Sequence, residues 1–162
     1  RRVRMIRDHG SERRYYHDMV GMNARLDEIQ AVVLRAKLPH LEDWNQLRRV
    51  CATLYSQRFQ GFPVVTPVER DGNYHIYHLY VLRVPRRDEL QAWLKERGIF
   101  TGIHYPVPIH LQPALNFLGY KEGDLPVTEK VVTEIISLPT FAELMEEEIK
   151  AVADSIKAFY YL

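Results

Sequence analysis

Two stretches of the chain concentrate side chains able to hold an anion or hydrogen-bond a ligand. The first, residues 10–28 (GSERRYYHDMVGMNARLDE), packs glycines, basic residues, paired tyrosines and Asn23 just before a segment of helical periodicity. An asparagine at a helix mouth can cap the free N–H groups there; its amide can equally donate to an anion held beside the positive helix end. The second, residues 101–113 (TGIHYPVPIHLQP), runs an extended stretch into His104, Tyr105 and Pro106. It sets an imidazole and a phenol on a proline-stiffened loop, where function concentrates. His104 and Tyr105 either plug the top of a core or face a ligand, and residue type alone allows both.

Other chemistries find less support. Of the seven histidines, His75 and His78 are three apart on an expected strand and so point to opposite faces, and His104 and His110 are separated by Pro106 and Pro108. No pair has the spacing of metal ligands on a helix face, and the single cysteine, Cys51, has no companion, so no metal site is expected. Cys51 follows Val50 inside an expected helix and reads as a small packing residue. A Schiff-base lysine needs a desolvated site. Lys37, Lys95, Lys121, Lys130, Lys150 and Lys157 all fall on expected helix surfaces or in a turn, so the chain offers no catalytic nucleophile. The opening stretch is rich in arginine: Arg1, Arg2, Arg4, Arg7, Arg13 and Arg14 stand against Asp8 and Glu12. Guanidinium forks match phosphate oxygens, and the plainer alternative is a solvated helix end.

The elements that must position these groups are legible from periodicity. Residues 1–7 read as the tail of a helix stopped near His9-Gly10, and 11–24 as loop. Leu26, Ile29, Val33 and Leu34 recur at three- and four-residue steps and predict a helix that Pro39 interrupts; a second helix is expected from Pro39 to Phe59, ended by Gly61 and Pro63. Tyr74–Val84 reads as a strand, Arg87–Arg97 as a helix closed by Gly98, and Ile99–His104 as a second strand. Helices at about 110–118 and 126–136, a short strand at Ile136–Leu138 and a last helix at about 145–160 complete the order. Strand and helix in alternation predict a small α/β sandwich with helices on one face, and the boundary is expected near Gly61.

Composition bounds the rest. With 46% hydrophobic and 27% charged residues over 162 positions, the chain is a globular domain, or one small domain with an appended helical segment. A formal net charge of +1 gives no footing for nucleic acid, so none is expected as a partner. No apolar run approaches the roughly 20 residues that span a bilayer, so no membrane partner is expected. One cysteine excludes an intrachain disulfide, and a reducing, cytoplasmic compartment is the natural expectation. The start, RRVRMIRDHG, has no initiator methionine and no secretion signal and reads like the middle of a helix, which suggests a piece of a longer protein.

Four motifs then carry a resemblance. RDHG at 7–10, GMNARLDEIQAVVL at 21–34, TGIHYPVPIHLQPA at 101–114 and SLPTFAELMEEEI at 137–149 together resemble the back part of the DegT/DnrJ/StrS family of sugar aminotransferases. The resemblance implies the C-terminal part of an aspartate-aminotransferase-like, fold-type-I protein. Residues 1–24 would be the end of the large cofactor domain with an interface loop, 25–60 the linking helices, and 61–162 the small C-terminal α/β domain. The lysine that holds pyridoxal 5'-phosphate in that family lies upstream of the matching part. By the same resemblance, Asn23 matches the asparagine that reaches across a dimer interface to the cofactor phosphate of the other subunit. His104 and Tyr105 match a His-Tyr pair near the nucleotide-sugar substrate, and Arg14 and Tyr16 sit where related enzymes place groups near its diphosphate. Arg25 is expected to order its segment by pairing with a nearby acid. The activity implied for the intact protein is transfer of an amino group from glutamate to a nucleotide-linked keto sugar, by a homodimer. The alternatives are a sugar dehydratase of the same family, in which histidine replaces the cofactor lysine, and a non-catalytic regulatory relative that kept the small domain for binding.

Overall fold

Gly10 decides how the chain leaves its first helix. α1 (Arg2–Ile6) ends where the Asp8 and Gly10 N–H groups both donate to the Met5 carbonyl, at 3.0 and 2.8 Å. Gly10 has φ +78°, and a Cβ there would lie 1.7 Å from the Met19 carbonyl oxygen, so only glycine fits the expected left-handed cap. The computed structural model describes residues 1–13 and 15–161, in two compact units, Arg1–Leu41 and Glu42–Leu162.

In the first unit the stretch expected to be loop holds a hairpin: β1 (Ser11–Arg13) pairs antiparallel with β2 (Tyr16–His17) through Ser11↔His17 and Arg13↔Tyr16. Its stabilisation is a side-chain effect that periodicity does not reveal. His17 Nδ1 lies 2.9 Å from the His9 carbonyl oxygen and 2.8 Å from Ser11 Oγ, tying the returning strand to the departing one. The chain then crosses back over α1, with Met22 N–H donating to Ile6 O and Ala24 N–H to Arg7 O, both at 2.8 Å. α2 (Glu28–Lys37) follows, with Asp27 at its N-cap position and a 3-10 turn at Leu38–His40, where Pro39 was expected to break the helix. No residue of α2 is buried: Ile29 is 80% and Val32 67% exposed, although the helix is patterned for burial on one face.

The second unit holds the core. α3 (Leu41–Arg58) contributes Cys51, Ala52 and Tyr55, and Phe59 follows one turn on, so the buried positions form one face. β3 (Tyr80–Arg83) sends in Tyr80 and Leu82, α4 (Arg87–Glu96) sends in Leu90 and Leu94, and α5 (Pro126–Glu134) leads straight into β4 (Ile135–Leu138), buried at all four positions. α6 (Glu146–Tyr161) closes the core with Ile149, Val152, Ala153, Ile156 and Phe159. The strands pair antiparallel, Tyr80↔Leu138 through Arg83↔Ile135, and single bridges extend the ribbon: Val65↔Arg83 on one edge and Gly102↔Ser137 on the other.

Three expectations are corrected. The strand foreseen at Tyr74–Val84 is regular only from Tyr80, because side chains take the backbone groups that a ladder would use. His75 N–H donates to Glu69 Oε1 (2.8 Å), the Arg49 guanidinium donates to His75 O (2.7 Å), and Tyr77 N–H donates to His75 Nδ1 (2.8 Å). The strand foreseen at Ile99–His104 shrinks to the single Gly102 bridge. The helix at 110–118 is two 3-10 turns, Ile109–Leu111 and Pro113–Leu118, since Pro113 has no N–H to continue the first. The two compact units meet in sequence at Leu41/Glu42, and α3 buries its apolar face in the second unit's core.

Leu94 is fully buried at the centre of this core. Leu94→Ala is expected to cost about 2–5 kcal/mol of unfolding free energy through lost transfer energy and a residual cavity. Urea titration of the variant should show a lower midpoint with an unchanged slope.

Candidate functional site

The residues singled out by sequence fall into both units. Asn23 lies in the first, exposed, four positions before the N-cap of α2; its backbone bridges Asp8, so it does not cap the helix. Its side-chain amide has no hydrogen-bond partner among the described residues and is free to donate. Two glycines make that crossing possible. A Cβ on Gly21 would meet Gly10 N at 2.2 Å and Ile6 O at 2.7 Å, so residues 21–24 pack backbone to backbone against the end of α1. Arg25 pairs with Asp8 at 3.9 Å, as its expected ordering role requires, though both partners are largely exposed and such a pair contributes little.

Tyr16 stands on β2, 58% exposed, with the Arg13 guanidinium 3.9 Å above its ring centre. Arg14, expected near a diphosphate, lies outside the described residues. Arg1, Arg4 and Arg7 line a shallow concavity with Asp8, Ser11 and Glu12, and Arg1 hydrogen-bonds Glu12, so acids temper the arginine cluster.

His104 and Tyr105 lie together in the second unit, on the loop that leaves the Gly102 bridge, and the peptide between them is cis. Both are exposed, Tyr105 at 72%, which settles against a core plug. Their rings meet edge to face at 5.6 Å. His104 Nδ1 is 2.9 Å from the hydroxyl of Ser137, a β4 residue only 4% exposed. The imidazole lies over Gly102, where a Cβ would come within 2.6 Å of Cε1.

Sequence reasoning missed the support behind this turn. His110 is buried, and its Nε2 lies 2.9 Å from Glu129 Oε1; Glu129 also accepts the N–H groups of Gly123 and Leu125. One carboxylate thus ties the proline-rich loop to the segment entering α5. The backbone donor at Gly123, then His110, hold Glu129 below the usual carboxylate range. A buried histidine with an acid 19 positions on gives no periodic signal. Ser137 and Gly102 were legible only as members of motifs, with no role attached.

None of the six lysines is buried, and Lys130 and Lys150 pair with Glu134 and Asp154. Burial pushes the Cys51 thiol up, which suits packing rather than nucleophilic attack. Tyr80, whose hydroxyl meets Ser56 in the core, is pushed up to about 12 by burial. One hollow of the second unit, lined by Thr53, Ser56, Gln60 and Tyr77, shares no residue with the His-Tyr turn. Among the described residues, no three His, Cys, Asp or Glu groups are placed to hold a metal ion, and no helix is long and apolar enough to cross a membrane.

This mixed helix and strand fold is that of the C-terminal portion of pyridoxal-phosphate-dependent, aspartate-aminotransferase-like sugar aminotransferases. The chain belongs to the DegT/DnrJ/EryC1/StrS aminotransferase family, whose family model matches residues 1–157. It is 51% identical over 98% of its length to a protein of Geobacillus stearothermophilus named "Pleiotropic regulatory protein", and spans 44% of that protein. It is 41% identical to the dTDP-3-amino-3,4,6-trideoxy-alpha-D-glucose transaminase of Streptomyces venezuelae, over 96% of this chain and 41% of the relative. The crystal structure of S. venezuelae DesV in complex with a ketimine intermediate superimposes with a TM-score of 0.92 at 40% identity, covering 98% of this chain and 43% of that one. The chain therefore spans less than half the length of the relatives it matches.

The Glu129 tether makes a pH-dependent contribution. Its folded-state pKa is depressed, so the stabilisation is present above the ordinary carboxylate pKa of roughly 4.3 and is lost as pH falls through the lower folded value. Glu129→Gln is expected to be less stable than the parent chain at neutral pH. The difference should shrink in acid, followed by urea unfolding across a pH series.

Proposed function

We propose that the protein carrying this chain moves an amino group from glutamate to a keto sugar linked to a nucleotide, with pyridoxal 5'-phosphate as cofactor. The observation that carries this reading is the exposed His104–Tyr105 turn, held from behind by a buried serine, in a chain 41% identical to a sugar-nucleotide transaminase. When bound, the cofactor supplies the electron sink that lets an amino group pass between donor and acceptor.

This chain's part is to bind and orient. Asn23 offers an unoccupied amide donor of the kind a phosphate oxygen accepts, exposed on a backbone crossing that Gly10 and Gly21 hold rigid. His104 and Tyr105 form one wall of the sugar pocket, and Tyr16 and Arg14 are assigned to the diphosphate by their match to the family motif alone. Asn23 serves the cofactor of a second copy in a homodimer. The exposed apolar residues of α2, Ile29, Val32 and Leu34 among them, agree with a helix covered by protein in the assembled enzyme. The cofactor lysine belongs to another part of the protein, since all six lysines here sit on exposed or half-buried positions. The name of the 51% identical relative favours a second reading, a regulatory protein that binds the same kind of ligand without turnover.

Full-length protein incubated with pyridoxal phosphate, glutamate and a dTDP- or UDP-linked keto sugar is expected to yield 2-oxoglutarate and the amino sugar, read by mass spectrometry. A dehydrated sugar, or ligand binding with no product, would replace the reading with the dehydratase or the regulator. The 162-residue chain alone is expected to show no transamination. Asn23→Ala in the full-length protein is expected to weaken cofactor binding roughly tenfold or more, the worth of one hydrogen bond to a charged group, measured by fluorescence titration.

A further inference from the structure

We propose that Ser137 is the positioning residue for His104, fixing the imidazole as a neutral ring whose outward Nε2–H donates a hydrogen bond to a ligand oxygen; this rests on the reading of the His-Tyr turn as a substrate wall. Ser137 is 4% exposed, and its backbone is held to Gly102 by two hydrogen bonds, Ser137 N–H to Gly102 O at 2.7 Å and Gly102 N–H to Ser137 O at 3.1 Å. Its hydroxyl cannot reach bulk water freely, and its one partner among the described residues is His104 Nδ1 at 2.9 Å. A hydroxyl has one proton to give. If Nδ1–H donated to Ser137, that buried proton would be left without an acceptor, a cost a native structure avoids. The arrangement that satisfies both groups has Ser137 Oγ–H donating to the bare Nδ1. The ring proton then sits on Nε2, which has no partner among the described residues and belongs to an exposed side chain.

Gly102 completes the device. The imidazole rests on its Cα, and a Cβ there would meet Cε1 at 2.6 Å and Nδ1 at 3.2 Å. The ring is therefore held by a backbone surface on one side and by a hydroxyl at one nitrogen. Tyr105, edge-on at 5.6 Å, borders the ring. The nitrogen presented outward is a donor, so it suits a phosphate, hydroxyl or carbonyl oxygen of the sugar nucleotide and is unsuited to accepting a proton from one. His104 acts here in recognition, not as a general base.

The test uses the full-length protein labelled with nitrogen-15 at histidine, with the His104 resonances assigned by loss in His104→Gln. The neutral ring is expected to show a pyridine-type Nδ1 and a pyrrole-type Nε2. Ser137→Ala should mix the two tautomers, and Ser137→Thr, which keeps the hydroxyl, should restore the parent pattern. A pyrrole-type Nδ1 in the parent protein, or a spectrum unchanged by Ser137→Ala, overturns the proposal. In kinetics, Ser137→Ala is expected to raise KM for the sugar nucleotide roughly fivefold, the worth of an ordinary hydrogen bond, and to leave the glutamate half-reaction unchanged. Rescue by Ser137→Thr separates positioning from loss of fold. If His104→Gln itself leaves the sugar KM unchanged, the substrate-wall reading fails; if His104→Gln raises it and Ser137→Ala does not, only the positioning role fails.

Discussion

The register between β3 and β4 governs how the second unit displays its chemistry. Tyr80 opposite Leu138 and Leu82 opposite Ile136 place apolar side chains in the core, and that same register brings Ser137 to the Gly102 bridge. Side chains alternate with a period of two, so a one-residue slip of β4 would set Ile136 or Leu138 against Gly102 and carry the Ser137 hydroxyl away from His104 Nδ1. The core and the site are specified by one alignment of two short strands.

The second unit sets an exposed turn against a packed core. Behind the His-Tyr turn, the aromatic and aliphatic faces of α3, α4 and α6 close over the sheet, and Glu129 ties His110 to the turn at Gly123. In front, His104 and Tyr105 are exposed. The first unit repeats the plan on a smaller scale, with close backbone crossings at Gly10 and Gly21 behind and the Asn23 amide free ahead. Groups held by backbone lose little further entropy when a ligand arrives, which is what preorganised recognition requires.

Much of the helical order was legible because burial on one side imposes a period. Ile149, Val152, Ala153 and Ile156 recur at three- and four-residue steps, and the helix ends sit within a few residues of where glycine, proline and first-turn acids place them. The strands were less legible. Tyr74–Ile76 has strand composition but is claimed by Glu69 and Arg49, and the 11–17 hairpin depends on His17 reaching His9 O. These contacts join residues without fixed spacing, and no pattern in the chain announces them.

By itself the sequence determined the family, the α/β class and most of the helices, and it nominated the candidate site residues, because motif identity and one-sided burial are written in local order. Asn23, His104 and Tyr105 stand out in it as candidates by motif. Only tertiary structure decided that Asn23 leaves α2 uncapped and that the His-Tyr turn stands outside the core. It alone brought Ser137 to His104 across 33 positions. Hydrogen bonds between distant residues exist only once the strands are aligned, and which nitrogen of a ring carries its proton is settled by the partner that the alignment brings.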